Sequence, residues 1–307
     1  MLKIERKIDA LENGHLHSLD QLCRDRLARI DHKIDLLEYY SHGSRATYIG
    51  NNRVLVKAVI GGHNIAYIVE ADDRLLSPWF IITGSYELEL TNFFLQNLQP
   101  DSHSIDVGAN FGYFSCLFAR LSPRGRLVSI EADQHIHELC RDNLAINGFE
   151  AIGTALHAAA NDTGDPVTLY RRVGRSANTS IVAYEKAFAA AMGEPPSEAF
   201  SVAGLRLDGL LDRFGGRVDF IKIDVEGAEP LVLRGARRLI ETNPQLRIVM
   251  EWSPGQIAAA GFELSAFLDE LGGQGLRLFR IEPDELSEMS AADLLTIDYL
   301  AGVVLKR

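Results

Sequence analysis

From Lys3 to Tyr40 the apolar positions recur at mixed intervals of three and four: Ile4, Ile8 and Leu11, then Leu16, Leu19, Cys23, Leu27, Ile30, Ile34 and Leu37. A helix returns to one face every three to four residues, so this spacing predicts one or two amphipathic helices interrupted at Gly14. One apolar stripe serves equally as a coiled-coil seam between copies or as the packing face of a helix laid on its own domain. Residues 46–70 change period. They hold two β-rich runs separated by Gly61-Gly62, which is a hairpin signal. From Phe80 onward strand-length apolar runs alternate with helical stretches, as βαβ units and a mainly parallel sheet require. Strands are expected at 104–107, 126–130, 155–159, 218–223, 246–251, 277–281 and 299–305. The chain therefore divides into an amphipathic helical arm (1–45), a small β appendage (46–79) and an α/β domain (80–307). Within that domain, 166–205 is less regular, with a strand-like VTLY, a polar RSANTSI and a helix-like YEKAFAAAM closed by Gly193 and Pro195. Such an insertion is a natural substrate lid.

Composition narrows the function classes. With 31 Lys and Arg against 42 Asp and Glu, the net charge is −11, a repulsive average field for nucleic acid. Cys23, Cys116 and Cys140 are odd in number and lack C-x-x-C spacing, so neither a disulfide framework nor a zinc site is expected. The charged first residues and the lack of any ~18-residue apolar run predict no signal peptide, no transmembrane segment and a cytoplasmic setting.

The segment SIDVGANFGYFSCLFARL reads as a strand, a tight turn carrying Gly108 and Gly112, and a helix. A doubly wound sheet binds nucleosides there, outside the carboxyl ends of its strands, where glycine lets the backbone come close. The next apolar run, RLVSI, ends at Glu131, 25 positions after Asp106. A carboxylate at that point can accept hydrogen bonds from both hydroxyls of a ribose. A dinucleotide site needs G-x-G-x-x-G to seat a pyrophosphate. The series Asp106, Gly108, Asn110, Gly112 departs from it, and Asp106 would repel a diphosphate but attract an ammonium. S-adenosylmethionine, with ribose and adenine but no phosphate, suits this pattern better than NAD.

At these residues the sequence resembles the FkbM family of S-adenosylmethionine-dependent methyltransferases. The matching stretches are SYELELTNFFLQNLQPDSHSIDVGANFGYFS, LVSIEADQHIHELCRDNLAINGF, ALHAAAND, VDFIKIDVEGAEPLVLRGA and IVMEWSP, covering roughly 80–255. The resemblance implies a doubly wound, Rossmann-like class I methyltransferase sheet with an antiparallel last strand. It also implies O-methylation of hydroxyls on sugars, glycans or other secondary metabolites. By matched motif, Asp106, Gly108 and Asn110 would surround the methionine part, Glu131 the ribose, and Asn161 with Asp162 the adenine.

The strand VDFIKI leads into Asp224, Val225 and Glu226, and Glu251 ends the following strand in the same way. Three candidate catalytic carboxylates, Asp224, Glu226 and Glu251, should border one pocket beside the glycine turn. Alignment of reactants can reach effective molarities of ~10⁵–10⁸ M, whereas a general base contributes ~10²–10⁴-fold. Glu229 reads better as a helix-start acid than as a catalyst. No metal site is expected: His135-x-His137 would not share a helix face, and a divalent ion shared by Asp224 and Glu251 is the weaker reading, carboxylate positions alone being thin evidence. Trp79 and Trp252 read as packing residues. The rival readings are an NAD-dependent oxidoreductase and a non-catalytic binding module assembled through the amino-terminal helix; a nucleic-acid methyltransferase would need N-P-P-Y or D-P-P-Y where this chain has DVEG.

Overall fold

Burial along Arg53–Ile60 alternates strictly from Val54 to Ile60, the signature of a strand with one face on a core. In the computed structural model, which describes residues 45–172, 179–183, 197–283 and 285–307 together with Arg26, this strand is β2. It lies between β1 (Arg45–Gly50) and β3 (His63–Glu70) in an antiparallel sheet. Gly61 and Gly62, both at positive φ, make the turn that pairs Ile60 with His63. The stripe expected over Leu16–Leu37 and the helix expected over 184–192 lie outside the described residues. Met1–Gly43 and Ser44–Arg307 are two separate compact units.

Two helices follow the small sheet, α1 (Leu76–Thr83) and α2 (Leu88–Asn97). The alternating part then runs β4 (His103–Val107), α3 (Tyr113–Leu121), β5 (Arg126–Glu131), α4 (Gln134–Ile146), β6 (Gly153–His157) and β7 (Ala159–Ala160). The insertion contributes β8 (Val167–Arg171) and β9 (Glu198–Val202), which pair antiparallel, and β10 (Gly204–Leu205), which pairs with β7. A 3-10 helix at Leu207–Phe214 leads to β11 (Phe220–Ile223), α5 (Glu229–Arg234), α6 (Arg237–Thr242) and β12 (Arg247–Trp252). The chain closes with α7 (Pro254–Ala259), α8 (Leu264–Gly273), β13 (Arg277–Ile281), β14 (Leu286–Met289), α9 (Ala291–Leu294) and β15 (Leu300–Lys306).

The main sheet has the order β14-β13-β15-β12-β11-β4-β5-β6. From β12 to β6 all pairings are parallel, while β15 inserts antiparallel between β12 and β13. This is the Rossmann-like class I methyltransferase arrangement, with its last strand antiparallel as expected and β14 added as an antiparallel edge. The strand expected at 155–159 starts earlier, at Gly153, and breaks at Ala158, where the backbone turns to pair with β10. Among the described residues no helix is long and apolar enough to cross a membrane.

The sheet separates two apolar cores. One joins β2, β3 and helices α1 to α4; the other lies under α5 to α8 and the 3-10 helix. Asp133 caps α4, accepting from the His135 and Ile136 amides, and the Arg171 guanidinium, 3.1 Å away, ties β8 to that cap. Among the described residues no fourth strand pairs with the outer edge of β3. Instead, Asn143 of α4 and Asn147, which caps the helix one turn later, each donate to and accept from its backbone, at Ile68 and Ala66 respectively. The Asn143 amide also donates to the Phe111 carbonyl at 2.7 Å. Behind the glycine turn, Tyr67, Phe80 and Phe111 pack edge-on or tilted with centroids 5.2–5.8 Å apart.

Candidate active site

The chain leaves β4 at Val107 and turns at Gly108 with φ +75°. A Cβ there would fall 1.8 Å from the Asp224 carbonyl oxygen, so only glycine lets the loops after β4 and β11 touch. Asn110 takes a left-handed conformation, which asparagine tolerates better than most residues, and its side chain accepts from the Phe111 amide. Its own N–H donates to Glu131 Oε2 at 2.9 Å, and the Asp133 N–H donates to Oε1 at 2.9 Å. Burial pushes the Glu131 carboxyl up to about 7 against these two bonds. Lone pairs remain on both oxygens for hydroxyl donors.

Glu131 lines a cleft of about 1070 Å³, its open mouth included. The small side chains of Ala109, Ala158, Ala159 and Ala160 also line the cleft, and Val167, Leu169, Thr179 and Ile181 of the insertion border it. On the far side of β4 from Glu131, in strand order, the same cleft is lined by Asp224, Glu226 and Glu251. Glu226 sits at φ 56° and Gly227 at φ 102°, a tight turn fastened from three sides. The Ser180 hydroxyl donates to the Glu226 carbonyl at 3.0 Å, the Gln256 amide donates to the Glu226 carboxylate, and Glu229 accepts from the Val225 and Gly227 amides. Glu229 is buried and forms no part of the lining, so it serves as the cap of this turn. Burial first, then repulsion from Asp224, Glu226 and Glu229, pushes Glu251 up to about 10 despite a hydrogen bond from Tyr299. At neutral pH that carboxyl is protonated and can donate a hydrogen bond.

Of the residues expected in the site, Gly108, Asn110, Glu131, Asn161, Asp224, Glu226 and Glu251 line this one cleft; Asp106, Gly112 and Asp162 do not. Asp106 lies one layer below, taking the Ser115 hydroxyl on Oδ2 at 2.6 Å. Its Oδ1 is buried without a hydrogen-bond partner among the described residues. Gly112 starts α3 against Cys140, where a Cβ would come within 2.9 Å of the sulfur. Asp162 lies beside Gly235, and the Asn161 amide closes its own turn onto Gly164 and Asp165. Trp252 is fully buried, with its indole N–H on the Ile297 carbonyl, whereas Trp79 is exposed.

Three residues of the site escaped the sequence reading: Lys222 and Tyr86 in the lining, and the half-buried Glu87 beside them. Lys222 had a signal, since a lysine inside a four-residue strand buried throughout needs a partner. Glu87 had none. Its left-handed backbone arises only where α1 hands over to α2.

Among the described residues the ionisable groups lining the cleft are four acids and one base, Glu131, Asp224, Glu226 and Glu251 against Lys222, and acid still outweighs base with Glu251 neutral. That balance favours a cationic, phosphate-free ligand over a pyrophosphate. Among the described residues no three His, Cys, Asp or Glu side chains gather as a metal ion would need. The profile of the Methyltransferase FkbM domain matches residues 106–280, more than half of the chain.

The chain belongs to that family. It is an S-adenosylmethionine-dependent methyltransferase. The site fits this cofactor through its acidic lining, the Glu131 carboxylate open to hydroxyl donors and the glycine and alanine floor. Methyltransferase sdnD of Sordaria araneosa is 28% identical over 224 residues, covering 64% of this chain and 83% of that protein. Among solved structures, the methyltransferase FkbM of Methylobacillus flagellatus KT aligns with a TM-score of 0.40 at 15% identity, covering 74% of this chain and 52% of that one. An O-methyltransferase of Bacillus cereus, solved in complex with SAH, aligns with a TM-score of 0.40 at 14% identity, covering 72% and 80%.

Proposed function

We propose that this family member methylates a hydroxyl oxygen on a sugar, glycan or other secondary metabolite in a cytoplasmic setting. What supports the reading is one cleft lined both by Glu131 at the end of β5 and, across β4, by Asp224 and Glu226 after β11 and Glu251 on β12. When bound, S-adenosylmethionine supplies an electrophilic methyl group on a sulfonium. Glu131 would accept the ribose hydroxyls, Gly108 and Asn110 would frame the methionine end with Asp106 beneath them, and Asn161 with Asp162 would border the adenine. Gly112 would hold the turn in shape.

Most of the rate must come from alignment, and a rigid turn fastened by Ser180, Gln256 and Glu229 is suited to hold the acceptor. Asp224 would take the hydroxyl proton, Glu226 would orient the acceptor, and the neutral Glu251 would donate to a neighbouring acceptor oxygen. Segment 166–205, which borders the cleft through Val167, Leu169, Thr179 and Ile181, would act as the acceptor-side lid.

Calorimetry with S-adenosylhomocysteine and NAD tests the cofactor end: the first should bind and raise Tm, the second should do neither. Tight NAD binding without a response to S-adenosylhomocysteine would overturn the proposal. With tritiated donor, label transferred to a hydroxyl survives mild base as an ether, whereas base-labile label would point to carboxyl methylation. If the Leu16–Leu37 stripe pairs two copies, deleting residues 1–40 lowers the mass seen by light scattering and spares S-adenosylhomocysteine binding.

A further inference from the structure

β11 is buried along its whole length, and a lysine inside it is tolerated only when its charge is matched. In register, Lys222 stands beside Asp106 of β4 and Val249 of β12, so its side chain leaves the sheet on the face covered by α3. There its ammonium lies 5.0 Å from the centroid of the Phe114 ring and 2.9 Å from Asp224 Oδ2. Lys222 is 3% exposed, while the Asp224 side chain is 21% exposed and reaches the cleft. The Asp224 carboxylate thus spans from a buried cation to the space an acceptor would fill.

We propose that Lys222 is a positioning residue for methyl transfer, keeping the Asp224 carboxylate charged and fixing which of its oxygens faces the acceptor hydroxyl. This rests on the reading of Asp224 as the proton acceptor. The surroundings make such a device necessary. Asp106 faces Lys222 from β4, and Glu87 faces it from the link between α1 and α2. Around Asp224 stand Glu251 of β12, Glu229 of α5 and Glu226 of the intervening turn, with the Tyr86 and Tyr299 hydroxyls close by. Among the described residues Lys222 is the cation that Asp224, Asp106 and Glu87 share, and protons held on neighbouring acids relieve the remaining repulsion. Burial pushes Glu87 up to about 7 and Glu251 up to about 10, which makes these two the stores. Burial works against the charge of Lys222 itself, yet Asp224, Asp106 and Glu87 outweigh it and hold its pKa above the usual lysine range.

The test is a ¹³C NMR titration of protein labelled at aspartate carboxyls and saturated with S-adenosylhomocysteine, the Asp224 signal being identified by its loss in Asp224→Asn. In Lys222→Met, an uncharged chain of similar length, the midpoint of that signal should move up by ~1–3 in pH, the effect of an adjacent opposite charge. Lys222→Gln, a shorter uncharged chain that keeps an N–H donor, should act the same way if Lys222→Met does not fold. An unmoved midpoint in a folded variant overturns the proposal. The reading of Asp224 as proton acceptor fails separately, if Asp224→Asn keeps its single-turnover rate while the titration behaves as expected.

Discussion

Glu131 and Glu251 end two strands of one sheet and line one cleft, yet they are held in opposite ways. Both oxygens of Glu131 take backbone N–H groups, from Asn110 and Asp133, so much of the cost of burying it is offset. Glu251 has the Tyr299 hydroxyl, a buried Oε2 without a hydrogen-bond partner among the described residues, and three acids around it. The first is pushed to about 7 and the second to about 10. The same side chain at the same place on two strands becomes an acceptor on one and a proton-carrying donor on the other. Surroundings, rather than residue type, divide the labour.

The largest expected effect breaks the acidic end alone. Asp224→Asn should lower the single-turnover methyl-transfer rate by ~10²–10⁴, the usual share of a general base, while S-adenosylhomocysteine affinity stays within a few-fold by calorimetry. If affinity collapsed as well, Asp224 would belong to the cofactor end and the two regions would not be separable. Glu131→Ala attacks the other end and should weaken S-adenosylhomocysteine by about 10–100-fold, since hydrogen bonds to a charged group are worth ~1.5–3 kcal/mol. Its single-turnover rate at saturating donor should fall much less, and a larger fall in rate than in affinity would refute the division.

The smallest effect concerns stability. Glu251 binds its proton more tightly folded than unfolded, so its contribution is fully present below the unfolded carboxyl value and fades as pH rises toward about 10. Glu251→Gln keeps the neutral shape and does not titrate. Its Tm should match the parent near pH 4 and exceed it increasingly toward pH 9, at roughly 2–4 °C for each ~1 kcal/mol. A constant Tm difference across that range would show that Glu251 does not carry the stored proton.

The parallel strands and the glycine turn were legible because their information is local: period, strand length and a terminal acid lie within one βα unit. The Asp224, Glu226 and Glu251 cluster was legible for a related reason, as strand order in such sheets brings the ends of β4, β11 and β12 together. Asp106 illustrates the limit. Its position at a strand end was readable, but the pleat and a serine on α3 turn its side chain beneath the loop instead of into the cleft. Lys222 stands out as a lysine in an apolar run, but which acids it meets depends on the strands that flank it.

Asn143 and Asn147 give the small sheet a property that no strand would. A fourth strand could slide by two residues and still bond, but two side-chain amides fixed one helical turn apart meet β3 in a single register. They also occupy hydrogen-bonding groups that an exposed edge would offer to other chains, which guards against edge-to-edge aggregation. Because Asn143 holds the Phe111 carbonyl as well, β3 acts as a ruler for the glycine turn: any slip of that strand would be transmitted to the residue beside Asn110 before it reached the rest of the sheet.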